Sequence, residues 1–190
     1  MIILGLNIFH ADTSAALIVN GKLISAIEEE RFTKIKHFSG LPINAIQHCL
    51  NSSDINISEI DIIAVNYNSK YNFFQKALYS LKNFNFSIFN KIISLKKKNN
   101  IKNILEETLN KKINAKIVYV PHHIAHISSS YFISGLDDAI GLTIDGSGDF
   151  STSESYILEN NSVNIIEKII YPDSLGIFYQ TFTQYLGFQN

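Results

Sequence analysis

Gly141-Leu142-Thr143-Ile144, late in the chain, repeats the pattern of Gly5-Leu6-Asn7-Ile8 near its start. Around the early copy, Ile2–Ile8 is a short apolar run, and Ala15–Val19 is a second one after a polar turn. Asn20-Gly21, a dipeptide suited to a type I′ hairpin, then leads into Leu23–Ile27. The late copy runs through Ala139–Ile144, a Gly-rich turn at Asp145–Asp149, and a strand at Glu154–Leu158. An Asn160-Asn161 turn and a strand at Val163–Ile170 complete it. Two strand–turn–strand–turn–strand units, each opening on the same short pattern, argue for a duplicated lobe.

Between the two units the signals alternate. Leu41–Leu50 reads as a helix with Pro42 in its first turn, and Asp61–Val65 as a buried strand of a parallel sheet. Tyr71–Asn110 reads as two helices, with a basic run at Lys96–Lys98. Ile117–Val120 is another strand, and Pro121 opens a helix that Gly135 ends. Strands alternating with helices predict an α/β chain with a mixed sheet in each lobe. The expected division is 1–136 for a first lobe with the His122–His126 helix at its end. The start of a second lobe, a meander and one helix, then occupies 137–190.

Composition narrows the classes. The 190 residues are 46% hydrophobic and 17% charged, the balance of a globular protein rather than a disordered one. A net charge of −1 gives no electrostatic case for nucleic acid as a partner. Lys96–Lys98 reads as a solvated helix face, since isolated charge runs carry little specificity. The single cysteine, Cys49, permits no intrachain disulfide and suits a reducing cytoplasm. Met1–Val19 has no basic start and is interrupted by His10 and Asp12, which fits neither a signal peptide nor a membrane span.

Candidate chemistry gathers in four places. His122 and His126 stand four apart on the expected helix, so their rings share one face at the spacing that holds a divalent metal. No Glu follows the first histidine, so the metalloprotease pattern is absent. In the first turn, His10, Asp12 and Ser14 offer a phosphate cradle, although the turn taken alone reads more readily as a polar hairpin satisfying its own backbone. In the second, Asp145-Gly146-Ser147-Gly148-Asp149 can approach a phosphate closely, with Asp145 placed to hold a cation or a water. A plain Gly-Asp turn explains the same residues. Lastly, Arg31, Lys36 and His37 within Glu28–His37 could bind an anionic group or form ordinary surface ion pairs.

Taken together, Gly5–Leu17, Glu28–His37, His122–His126 and Asp145–Asp149 resemble the ordered motifs of the O-carbamoyltransferases of nodulation-factor and antibiotic tailoring. Those motifs are G-[IL]-N-x-x-H-D-x-S-A-A-L, E-E-E-R-F-[ST]-[RK]-x-K-H, H-H-x-A-H and D-G-x-G-D. Here Ala11 stands between His10 and Asp12. Leu175–Phe188, with Gly176 and Tyr179, is similar as well. The resemblance implies the duplicated fold of actin, sugar kinases and heat-shock ATPases, shared with tRNA threonylcarbamoyl-adenosine proteins. It implies ATP-dependent transfer of a carbamoyl group from carbamoyl phosphate, by way of carbamoyl-adenylate, to a hydroxyl of a sugar or natural product. By the same resemblance, His122 and His126 would bind an Fe- or Zn-type metal. Asp12, Ser14, Arg31 and Asp145, Gly146, Ser147, Gly148, Asp149 would contact substrate or phosphate, and His10 and Lys36 would lie near the transferring group.

In that family the nucleotide-binding lobe continues well past the motif at Tyr185–Phe188, and a further Asp completes the metal site. The expectation is therefore a complete first lobe and a truncated second one, with no third metal ligand in the chain and little activity of its own. A module working with a separately encoded C-terminal half is the alternative. A sugar-kinase-like phosphotransferase ranks below both, because a histidine pair and the Glu28–His37 segment are unexpected for a kinase.

Overall fold

The computed structural model describes residues 1–82 and 101–188, which fall into two compact units. The first comprises Met1–Asn66 and the described part of Phe89–Val120. The second comprises the described parts of Tyr67–Ile88 and Pro121–Asn190. The histidine helix thus groups with the second unit rather than ending the first, because its inner side chains pack on the second sheet. The basic run Lys96–Lys98 lies outside the described residues.

The first unit is a five-stranded mixed sheet in the order β3-β2-β1-β4-β5. Its strands are β1 (Ile2–Asn7), β2 (Ser14–Val19), β3 (Lys22–Glu28), β4 (Ile62–Val65) and β5 (Lys116–Tyr119). The β1–β3 meander is antiparallel, whereas β4 and β5 join parallel to β1. Asn20 and Gly21 both take positive φ, 49° and 80°, as a type I′ turn requires. Leu4, Leu6, Leu17, Ile63 and Val65 are buried in this sheet. Short helix α1 (Glu30–Thr33) follows β3, and α2 (Ile43–Asn51) buries Ala45, Ile46, Cys49 and Leu50. Pro42 sits at the N-cap of α2, one place before the first turn.

Proline supplies no side-chain acceptor, so α2 is capped from elsewhere. Glu29, 2% exposed, accepts from the backbone N–H groups of Asn44 (3.2 Å) and Ala45 (2.8 Å) and from the Asn44 amide (2.6 Å). A carboxylate at a helix N-terminus is where the macrodipole favours it.

The second unit carries an antiparallel sheet of β6 (Ala139–Gly148), β7 (Ser151–Glu159) and β8 (Ser162–Ile170). The mixed pattern therefore belongs to the first sheet alone among the described residues. Three helices accompany it: α3 (Phe73–Lys82), α5 (His122–Ser134) and α6 (Leu175–Tyr185), with α4 (Ile101–Leu109) in the first unit. Asp145–Gly148, expected as a turn, is the end of β6. The turn itself is Asp149-Phe150, at φ 51° and 76°. The β6–β7 register slips between Ile144 and Gly148, so the Gly-Ser-Gly composition builds a bulge. On one face of the sheet, Ile127 and Tyr131 of α5 pack with Tyr156 and Leu158. No helix among the described residues is long and apolar enough to cross a membrane.

Candidate metal centre

The second unit assembles a compact donor set at the N-terminus of α5. His122 Nε2 lies 2.8 Å from Asp145 Oδ2 and 3.0 Å from His126 Nε2, and His126 Nε2 lies 3.7 Å from the same oxygen. The His122 side chain is 13% exposed, those of Asp145 and His126 38% and 55%, so the cluster opens toward His126.

Two of the three donors, His122 and Asp145, are held from behind. Asp149 Oδ2 accepts the His122 backbone N–H at 2.9 Å and that of Asn68 at 2.7 Å, which pins the start of α5. The glycine at 148 is obligatory, since a Cβ there would overlap the His122 ring. His123, the neighbour that turns inward, is buried between Thr143 and Ser151. The Ser151 carbonyl only accepts, so the proton sits on Nε2 (3.1 Å), and Nδ1 accepts from the Thr143 hydroxyl (2.8 Å). Asp145 directs Oδ1 to the Gly146 N–H at 2.6 Å and leaves Oδ2 for the imidazoles.

Electrostatics follow this arrangement. Hydrogen bonds from His122 and then His126 hold the Asp145 carboxyl well below the usual carboxylate range, against the opposing effect of burial. Burial pushes the Asp149 carboxyl up despite its two N–H donors. Burial likewise pushes His123 down, which keeps it neutral.

Do these three groups fit a metal ion? An imidazole nitrogen carries at most one proton, yet three potential donor atoms converge on one point. A triangle of sides 2.8, 3.0 and 3.7 Å has a circumradius of about 1.9 Å, just inside the roughly 2.0–2.1 Å of a zinc–imidazole bond. Two imidazoles and one carboxylate also match the donor set of non-haem ferrous and catalytic zinc sites. The residues fit.

Residues 2–190 match the family described as Carbamoyltransferase N-terminus. The chain belongs to this carbamoyltransferase family. It is 30% identical over 185 residues to nodulation protein NolNO of Sinorhizobium fredii, covering 96% of this chain and 26% of that protein. It is 31% identical over 198 residues to the uncharacterized protein sll1178 of Synechocystis sp., covering 98% of this chain and 32% of that protein. The chain thus spans about a third or less of the length of these relatives. Among solved structures it is similar to YeaZ from Pseudomonas aeruginosa, at 14% identity and a TM-score of 0.45, covering 90% of this chain and 69% of that one. It is also similar to a ROK hexokinase from Thermus thermophilus, at 12% identity and a TM-score of 0.41, covering 86% and 47%.

Within this member of the carbamoyltransferase N-terminus family the structure redistributes the residues singled out in the sequence. His122 and His126 are joined by Asp145, so a third candidate ligand lies within the chain, where none was expected beside the histidine pair. Gly148 and Asp149, expected at a phosphate, respectively make room for His122 and anchor α5. Gly146 and exposed Ser147 stay on the bulge. In the first unit Asp12 Oδ1 pairs with His37 Nδ1 at 2.9 Å, which ties the first turn to the Glu28–His37 segment. The Asn7 amide supports that turn by donating to the carbonyls of Ala11 (3.2 Å) and Asp12 (2.9 Å). Arg31 pairs with Glu28 at 3.1 Å, Ser14 starts β2, Lys36 is exposed, and His10 is half-buried.

Proposed function

We propose that this chain contributes the cation-binding and acceptor-handling part of carbamoyl transfer. A carbamoyl group would pass from carbamoyl phosphate, through ATP-dependent formation of carbamoyl-adenylate, to an acceptor hydroxyl. The observation that carries this is the convergence of His122 Nε2, His126 Nε2 and Asp145 Oδ2 in a chain of the carbamoyltransferase family. A bound Fe- or Zn-type ion would supply a Lewis acid for nucleotide phosphate oxygens.

This chain's residues do the rest. Asp149 and Gly148 hold His122 in place, and Gly146 orients the carboxylate. In the first unit, Asp12 on Nδ1 of His37 leaves Nε2 for the proton of an incoming hydroxyl, the orientation by which a carboxylate turns imidazole into a general base. As the acceptor oxygen bonds to the carbamoyl carbon, the carbon–oxygen bond to phosphate breaks and the hydroxyl proton goes to that base. His10 and Lys36, which share the two segments tied by this pair, would bind the transferring group.

Metal analysis tests the centre. Wild-type protein should retain a stoichiometric divalent ion, and His122→Ala, His126→Ala and Asp145→Ala should each lose it. Unchanged content in all three would overturn the reading. A second reading, catalysis only together with a polypeptide equivalent to the rest of the longer relatives, is favoured by the 26–32% of their length that the chain spans. Transfer of label from carbamoyl phosphate to a polyol by this chain alone would exclude it.

A further inference from the structure

The start of α6 lies directly on the strand segment that presents Asp145. Ser174, the N-cap of α6, accepts from the Ile177 N–H at 3.1 Å. It donates its hydroxyl proton to the carbonyls of Gly146 (2.8 Å) and Asp145 (3.1 Å). Two residues on, Gly176 packs backbone to backbone: a Cβ there would stand 2.5 Å from the Asp145 carbonyl carbon and oxygen and 2.6 Å from the Gly146 nitrogen. That nitrogen is the donor that anchors Asp145 Oδ1. The Asp145–Gly146 peptide is therefore gripped by Ser174 at the Asp145 carbonyl and, one peptide on, at the Gly146 carbonyl, and by Gly176 across its face, and Asp145 Oδ2 points at His122.

We infer that Ser174 and Gly176 are positioning residues for Asp145, so that cation binding and the seating of α6 are thermodynamically linked. The inference rests on the proposed metal centre for its cation arm and on the metal-free geometry for its clamp arm. An ion held by Oδ2 and the two imidazoles would restrain the peptide that α6 rests on. A looser α6 releases that peptide, and linkage makes the two effects equal in free energy.

Co2+ titration followed by its visible absorption, with amide hydrogen exchange, tests this. Gly176→Ala should weaken Co2+ binding by about 10-fold or more, the usual effect of removing a group that orients a ligand, and should change the absorption spectrum. Ser174→Ala should weaken binding less, Ser174→Thr should restore it, and Co2+ should slow exchange along α6 in the wild type. Tyr131→Phe, which removes a bond to the Asp137 carbonyl at the far end of α5, serves as a destabilised control whose spectrum should not change. Wild-type affinity and spectrum in both Gly176→Ala and Ser174→Ala would overturn the inference. If Gly176→Ala does not fold, Ser174→Ala and its Thr rescue decide. If the wild type binds no Co2+, the metal centre fails separately. The clamp then stands or falls on whether Gly146 amide exchange in metal-free protein is faster in the variants.

Discussion

Replacing Gly148 by Ala isolates one packing relation on which the metal centre depends. Gly148 does not adopt positive φ, so alanine meets no backbone strain there. Its Cβ would, however, overlap the His122 ring at Cγ and Cδ2. That ring cannot simply retreat, because the His122 backbone is fastened to Asp149 and its ring is only 13% exposed. Either the ring rotates away from Asp145 or the strand end shifts. Overpacking of this kind costs about 1–3 kcal/mol. For a protein of this length that corresponds to a melting temperature lower by roughly 2–4 °C per kcal/mol. Affinity for Co2+ should fall about 10-fold or more, since a ligand loses its orienting contact. Gly146→Ala is the matched control: a Cβ at 146 meets nothing within 4 Å, so it should leave melting and binding near wild type. Calorimetric melting and Co2+ titration of the pair decide the matter. Wild-type behaviour of Gly148→Ala, or equal losses in both variants, would refute the claim that residue 148 is the seat of the His122 ring.

Three further outcomes are expected. Glu29→Ala should destabilise the first unit by roughly 1–2 kcal/mol in urea unfolding, because it strands the buried Ala45 N–H and uncaps the partly buried Asn44 N–H at the start of α2. His123 is held below its ordinary value by burial, so the unfolded chain takes up that proton first. Its contribution to stability is whole above about pH 6.5 and is lost as pH falls toward the folded-state value, and His123→Gln should flatten this slope in paired denaturant curves. Zn2+ at a free concentration 100 times its dissociation constant should raise unfolding free energy by about 2.7 kcal/mol. Asp145→Ala should abolish that gain in calorimetry.

The parts of the fold that were legible in the sequence are those written in local chemistry. Asn20-Gly21 and Asn160-Asn161 announce hairpins because each needs φ > 0 at both positions, and each has it. The α5 boundaries follow from Pro121 and from Gly135, whose φ of 72° ends the helix. Asp145–Asp149 misled for a physical reason: small residues that permit a turn also permit a bulge, and only the register against β7 distinguishes them. Glu29 gave no signal, since a carboxylate that caps a distant helix looks in sequence like one more member of an acidic run.

Asp145 reads in the sequence as able to hold a cation, but its place beside the histidine pair was hidden because it depends on two periodicities meeting. Strand alternation puts Gly141, Thr143 and Asp145 of β6 on one face, each pair separated by about 6.6 Å. Along α5 a turn advances about 5.4 Å. Set against each other, two contacts nearly match in spacing, since Gly141 meets Ile127 and Thr143 meets His123, four residues or about 6 Å apart on α5; Asp145 then meets His122 and His126. The first contact needs glycine, because a Cβ at 141 would come within 2.6 Å of Ile127 Cδ1. The second locks the helix rotation, because a buried imidazole bonded at both nitrogens tolerates little turning. With height and rotation set, the third contact is no longer free, and the carboxylate at 145 falls beside the histidine pair. Knowing that α5 rests on this face of β6 would have sufficed to seat Asp145 beside His122 and His126. Neither the four-residue spacing of the histidines nor the two-residue spacing of the strand contains that fact, which arises only when the helix and the strand are packed.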